Sequence, residues 1–312
     1  MDDTLSQLLD DIHLSGGEFR YVEAAGPWAF RFEAGGLSSF HLVLAGQAEL
    51  HVPGEAPVRL EAGDMAVLSS GRDHDMRDVA APPGGEWPDL AALILGHSHE
   101  PIRLGAGDAV TATLLSARFR FDADLARPLL SALPSVLLIR GISEKPPAWL
   151  RIGLEFLAEE GIGRPGRQAI VNRLAGILFI ECVRTHLDSL PEGVSNWLRA
   201  LRDPALSAVL SAMHQRPEHP WSVPELAALA CLSRSAFAER FTQMLSQPPL
   251  SYLAEHRMRL AAWQLRHTRQ PVCRIAEMVG YASETAFSQA FKRTHGSAPS
   301  RYRQLRESDG TS

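Results

Sequence analysis

A chain of 312 residues with 45% hydrophobic and 21% charged content carries enough apolar material for two cores, which excludes a disordered or fibrous class. The net charge of −5 is unevenly placed: residues 205–306 hold 13 Lys and Arg against 6 Asp and Glu, +7, while residues 1–204 sum to −10. A basic module on an acidic body points to a polyanionic partner for that module alone. Cys182, Cys231 and Cys273, odd in number and far apart, argue against a disulfide framework and fit a reducing cytosol. No stretch approaches the roughly 18 apolar residues of a membrane span. The acidic start MDDTLSQLLDD lacks the basic opening of a signal peptide.

Residues 18–80 are predicted to be β. SSFHLVLAGQAELHV, residues 38–52, is strand-like on both sides of Gly46, and residues 56–76 repeat the pattern around Gly63 and Asp64. Short strands broken by Gly, Pro and Asp form a small barrel or sandwich. Residues 81–113, rich in Pro, Gly and His, are predicted to be loop with little regular structure. Residues 128–139 are apolar and punctuated by Pro134. From Pro146 the apolar spacing becomes three and four, so PAWLRIGLEFLAEE and RQAIVNRLAGILFIECVRTHL read as helices. In the second, Ile170, Leu174, Ile177, Leu178 and Val183 share one broad buried face. Residues 188–204 hold the predicted domain boundary, and everything beyond is predicted helical.

Two near-copies of one helix pair follow, WSVPELAALACLSRSAFAERF from Trp221 and QPVCRIAEMVGYASETAFSQAF from Gln270. In each, a small residue (Ala227, Ala276) lies four positions before the break (Cys231, Gly280), as a helix-turn-helix requires where its helices cross. The break needs φ > 0, which Gly280 adopts freely and Cys231 only with strain. Ser233 and Ser283 are predicted N-caps of the second helices. Phe237 with Phe241, and Phe287 with Phe291, fall at i and i+4 and form their buried sides. The outward residues are then Arg234, Ser235, Ala238 and Glu239 in the first copy. In the second they are Glu284, Thr285, Ser288 and Gln289, with Lys292 and Arg293 beyond. Short polar side chains near a helix N-terminus suit entry into a major groove; the alternative is a plain bundle with a solvated face. Between the copies, a predicted helix of about 18 residues starting at Pro249 spans roughly 27 Å. Its buried stripe is Tyr252, Leu253, Met258, Leu260, Ala261 and Leu265. That length approaches the ~34 Å repeat of duplex DNA, so two reading helices on a rigid spacer fit adjacent grooves on one face.

These strings, with RIAEMVGYASETAFSQAFKRTHGSAPSRYR, resemble the DNA-binding domain of the AraC/XylS family of bacterial transcriptional regulators over residues 208–306. FHLVLAGQAELHV, LEAGDMAVLSSGRDH and LLSARFRFDADLARPLLSALPSVL resemble the cupin-type sensor of one branch of that family. The resemblance implies a multidomain chain. An N-terminal all-β cupin-like barrel would cover 1–140, a helical connector 141–204, and an all-α double helix-turn-helix domain 205–306, with the two motifs near 224–244 and 273–295. It implies an activator of transcription with double-stranded DNA, RNA polymerase and a small-molecule effector as partners, and a homodimer through the connector. Membrane attachment is not implied. Where metal-binding cupins carry His-x-His and Glu, this chain has RFEAGGLSSFH with only His41. Relatives commonly have Cys-Gly at the position of Ser116-Ala117, so thiol-based sensing lacks its nucleophile here.

The remaining candidates are histidines and cysteines. His41, His51 and His74 lie on strand-like segments and would line a polar pocket, or hold a metal if brought together. Without a carboxylate at the implied ligand position, neither metal nor cofactor is expected. His97 and His99 sit in a Pro- and Gly-rich stretch that reads as a surface loop. The three cysteines fall in apolar helical settings and are expected in cores. Phosphate-binding Gly loops and a Gly-x-Ser-x-Gly elbow are lacking, so no enzymatic activity is expected. The rival to a DNA-binding regulator is a cupin enzyme or small-molecule binder with an accessory helical domain.

Overall fold

The computed structural model describes residue 5 and residues 14–81, 85–95, 100–122, 124–141, 166–191 and 196–309. The helix expected over 146–159, His97 and His99 lie outside the described residues. The described chain forms two compact units. One comprises Leu14–Phe121 and Leu133–Ser189; the other contains Asp122–Ala132 and the chain from Leu190 onward.

The first unit opens with β1 (Leu14–Ala25), β2 (Ala29–Phe32), β3 (Ser38–Ala45), β4 (Gln47–His51), β5 (Val58–Glu61), β6 (Met65–Leu68) and β7 (His74–Arg77). A short helix α1 (Leu90–Ile94) follows, then β8 (Ile102–Leu104) and β9 (Val110–Phe121). The short helix α2 (Arg127–Ala132) belongs to the second unit, after which β10 (Leu137–Ile139) and α3 (Arg167–Ser189) complete the first. Two sheets form, in the orders β10-β6-β3-β9-β1-β8 and β2-β7-β4-β5. All pairings are antiparallel except β1 with β8. Trp28, Phe30, Phe32, Val43, Leu50, Leu60, Met76 and Leu114 belong to one buried core drawn from both sheets. Gly46 makes the β3–β4 turn at φ 77, and a Cβ there would sit 2.1 Å from the Thr111 carbonyl oxygen on β9. Only glycine allows that approach.

Three expectations are corrected, the last of them reaching into the second unit. The stretch 81–113 is not simply loop, since it holds α1, β8 and the start of β9. On α3 the buried face is Leu178, Phe179, Cys182 and Val183, while Ile177 is exposed. The reason is that Phe179 turns toward β9, with its ring centroid 4.5 Å from that of Phe121, and this rotates Ile177 outward. Cys182 is a core residue, but Cys231 and Cys273 are exposed.

The second unit is helical. It contains α4 (Trp197–Arg202), α5 (Pro204–Gln215), α6 (Val223–Leu229), α7 (Arg234–Leu245), α8 (Pro249–His267), α9 (Val272–Met278), α10 (Glu284–His295) and α11 (Pro299–Asp309). Asp203 caps α5 by accepting from the Ala205 and Leu206 amides, and Ser222 caps α6 from Glu225 N–H. Within this unit Arg266 of α8 is enclosed by acids. Its Nη2 donates to both oxygens of Asp122 at 2.8 and 2.7 Å, and its Nη1 donates to Asp124 Oδ2 at 2.6 Å. Tyr302 of α11 adds a donor to Asp124 at 3.3 Å.

Candidate nucleic-acid interface

The two helix-turn-helix copies close by the same backbone chemistry. At the end of α6, Leu232 N–H donates to Ala227 O at 3.0 Å and Cys231 N–H to Ala228 O at 3.0 Å. At the end of α9, Tyr281 N–H donates to Ala276 O and Gly280 N–H to Glu277 O, both at 2.9 Å. This paired closure requires a left-handed residue just past the helix. Cys231 supplies it at φ 53 and Gly280 at φ 79. The second copy then takes one more residue before its cap, three steps from Gly280 to Ser283 against two from Cys231 to Ser233. Ser233 accepts from Ala236 N–H and Ser283 from Ala286 N–H, starting α7 and α10.

Glycine at 280 answers to more than φ. A Cβ there would meet the Glu218 carbonyl oxygen at 2.6 Å. Arg257 of α8 holds that loop in place, donating to Pro217 O at 2.6 Å and His219 O at 2.8 Å. The lead-in to the first motif is therefore clamped against the turn of the second. The Cβ of Cys231 is exposed, so strain there is confined to φ. Cys231→Gly is expected to stabilise the chain by about 1 kcal/mol, by relieving a left-handed non-glycine residue. A rise in the urea midpoint followed by circular dichroism checks this; an unchanged or lower midpoint counts against it.

Phe237, Phe241, Phe287 and Phe291 are all fully buried, which fixes the opposite faces of α7 and α10. Arg234, Ser235 and Glu239 are exposed on α7, with Ala238 half-buried. Glu284, Thr285, Gln289, Lys292 and Arg293 are exposed on α10, with Ser288 half-buried. Arg234, Lys292 and Arg293 enter no ion pair among the described residues, whereas Arg240 is held by Asp203 at 2.6 Å and Arg274 by Glu277 at 2.7 Å. Thr242 and Gln243 share the exposed face of α7, where Gln243 Nε2 donates to Glu239 Oε1 at 3.1 Å. The fifty-residue offset that aligns Ser233 with Ser283 also aligns them with Lys292 and Arg293, and that signal points to both. The spacer α8 runs 19 residues, about 28 Å at 1.5 Å per residue.

Of the three candidate histidines, His41, His51 and His74, only the first and last come together. His41 on β3 and His74 at the start of β7 meet, Nε2 to Nε2 at 2.8 Å, and so join the two sheets. His74 Nδ1 lies 2.9 Å from Arg72 O, and His41 Nδ1 lies 2.9 Å from Ser116 Oγ. The Arg72 carbonyl only accepts, so His74 carries its proton on Nδ1 and offers a lone pair on Nε2. His41 then donates from Nε2 and accepts from the Ser116 hydroxyl. Burial holds both rings neutral, with His74 lowered to about 4 and His41 driven well below its ordinary value. His51 shares the outer face of β4 with Glu49 and hydrogen-bonds it at 2.6 Å. That bond, with one from Arg77, holds the Glu49 carboxyl below its usual range. Among the described residues no group of three His, Cys, Asp or Glu is arranged to hold a metal.

Comparison with known proteins decides the family. The chain is 40% identical to the HTH-type transcriptional regulator AlkR of Acinetobacter baylyi, over 97% of this chain and 99% of that one. It is 35% identical to an AraC-like transcription regulator of Streptomyces antibioticus, over 97% of each. The chain belongs to the AraC-like family of transcriptional regulators. A cupin model matches residues 3–188 and a helix-turn-helix domain model residues 226–305. Among solved structures, the DNA-binding domain of AdpA, determined with target DNA, is 31% identical and covers 34% of this chain and 96% of that one, with a TM-score of 0.33. In this AraC-like regulator the helix-turn-helix domain is the DNA-binding part, and the cupin unit is the sensor part. No helix among the described residues is long and apolar enough to cross a membrane.

Proposed function

We propose that this regulator reads a two-part promoter site through α7 and α10, and that its role is activation by contact with RNA polymerase in the cytosol rather than catalysis. The observation that carries the reading is a pair of turns closed by the same backbone hydrogen bonds, each followed by a helix with an exposed polar face, on either side of one spacer. Arg234, Ser235, Ala238, Glu239, Glu284, Thr285, Ser288 and Gln289 are the proposed base-facing set. Lys292 and Arg293, unpaired at the end of α10, are the proposed phosphate contacts. The cupin unit receives a small-molecule effector, and a homodimer through the connector is part of the same proposal.

Selection of binding sites from randomised duplexes by the full chain tests it. Thr285→Ala and Gln289→Ala are expected to relax preference at a few base pairs, by about 1–3 kcal/mol for each lost base contact. Arg293→Ala is expected to weaken all sequences alike and to lower the salt dependence of binding. Unchanged base preference in both of the first two variants would mean that α10 does not face the bases as assigned.

A further inference from the structure

The helical unit contains a cavity of about 270 Å³, lined in part by Arg127, Trp197, Ser246, Tyr252, Glu255 and Arg259. We propose that this cavity is a binding site for a small organic monocarboxylate, held by Arg259. It is separate from the cupin unit and from the exposed faces of α7 and α10.

The central observation is the state of Arg259. Its side chain is only 8% exposed, and its Nη2 has no hydrogen-bond partner among the described residues. Among the described residues its Nη1 has only Glu255, 3.7 Å away and itself 56% exposed, so that contact is long and solvent-screened. The guanidinium lies 5.8 Å from the Tyr252 ring, which offers a face but no acceptor. The Tyr252 hydroxyl is engaged elsewhere: Trp197 Nε1 donates to it at 2.9 Å and it lies 2.9 Å from His214 Nε2. A buried cation with an idle donor is costly to keep, and a carboxylate arriving in the cavity supplies the missing acceptor in the geometry the fork prefers.

The other walls define the rest of the ligand. Arg127, mostly exposed and paired with Asp124 at 3.5 Å, adds a second guanidinium at the rim. Arg127 is answered by Asp124 and the Glu255 contact is solvent-screened, so Arg259 is the cation left for a ligand, which matches a monoanion better than a doubly charged phosphate. Trp197 and Tyr252, both buried, give flat apolar walls for a compact organic body. The volume lies just below the usual ~300–1,000 Å³ of ligand pockets, which limits the body to about one ring. Ser246 ends α7 in a left-handed conformation at φ 58, so the site adjoins the C-terminal end of the first motif-bearing helix.

Calorimetric titration of the full chain with two acid–amide pairs tests the site: nicotinate against nicotinamide, and 3-phenylpropionate against 3-phenylpropionamide. At least one acid is expected to bind saturably at one per chain, with its neutral amide at least tenfold weaker. Arg259→Met is expected to abolish that binding, and Arg127→Ala to weaken it several-fold. Ala132→Trp, which fills the cavity from its wall and leaves Arg259 in place, is expected to abolish it too, and it decides the matter if Arg259→Met does not fold. The proposal is overturned if neither acid binds, if acid and amide bind alike, or if Ala132→Trp binds as well as the unaltered chain.

Discussion

Arg266→Met is expected to destabilise the helical unit by about 3–5 kcal/mol, because it leaves buried Asp122 without a cation among the described residues and Asp124 with a 3.5 Å contact to the mostly exposed Arg127. Asp122 and Asp124 are each 8% exposed at the side chain, and Arg266 is 11% exposed. Methionine keeps most of the aliphatic stem, so lost volume is a minor part of the cost. Asp122 also anchors its own turn, its Oδ1 accepting from the amides of Asp124 and Leu125 at 3.1 Å, so it cannot swing to solvent without breaking local structure. Arg266→Lys is expected to recover only part of the loss, since an ammonium cannot serve both oxygens of Asp122 and Asp124 Oδ2 in one plane. Adding Asp122→Asn and Asp124→Asn to Arg266→Met is expected to restore stability relative to Arg266→Met alone. Urea titration of the four proteins measures this. An Arg266→Met chain within about 1 kcal/mol of the unaltered one would show that the cluster is solvated and contributes little.

What could be read beforehand depended on how local each feature is. The helix-turn-helix copies are written in adjacent residues: serine caps, phenylalanines four apart and a small residue before each break. The turn at Cys231 was legible too, strain included, because a left-handed position is a property of the backbone at that residue. The exposure of Cys231 and Cys273 was not, because apolar neighbours in sequence do not fix which way a single side chain points. In the barrel, Gly46 and Gly63 marked their turns. β9 was hidden because it lies between β3 and β1 and is buried on both faces over much of its length, so it lacks the alternation that marks a half-exposed strand. His51 resembles His41 and His74 in its strand-like setting, but strand parity is not written in local sequence, and one residue of register moves a side chain to the other face. The pairing of Arg266 with Asp122, 144 residues apart, leaves no trace in either local segment.

The barrel unit is expected to lose about 3 kcal/mol of stability as pH falls from 6.5 to 4, through His74 alone. Burial holds the folded-state value of His74 at about 4, despite the Arg72 carbonyl and the charges of Asp73 and Asp75, which act the other way. His41 is driven well below its ordinary value, first by burial and then by the neighbouring charge of His74. In the unfolded chain both rings take up protons near 6.5. Below that pH the unfolded state binds more protons than the folded state, so stability is complete above 6.5 and declines as pH falls toward 4. The hydrogen-bond chain explains why the folded state resists. The only free acceptor on His74 is Nε2, and that lone pair receives the His41 proton across 2.8 Å. A proton added to His74 would set N–H against N–H inside a box of Phe30 and Phe32, whose rings give no acceptor. Replacing both rings, His41→Phe with His74→Phe, removes the titration and is expected to flatten the pH slope of stability between 6.5 and 4. His256 in the helical unit is also lowered by burial, and it contributes equally to both proteins, so the difference in slope isolates the barrel pair. Equal slopes in the double variant and the unaltered chain would mean that the pair is open to water in the folded protein.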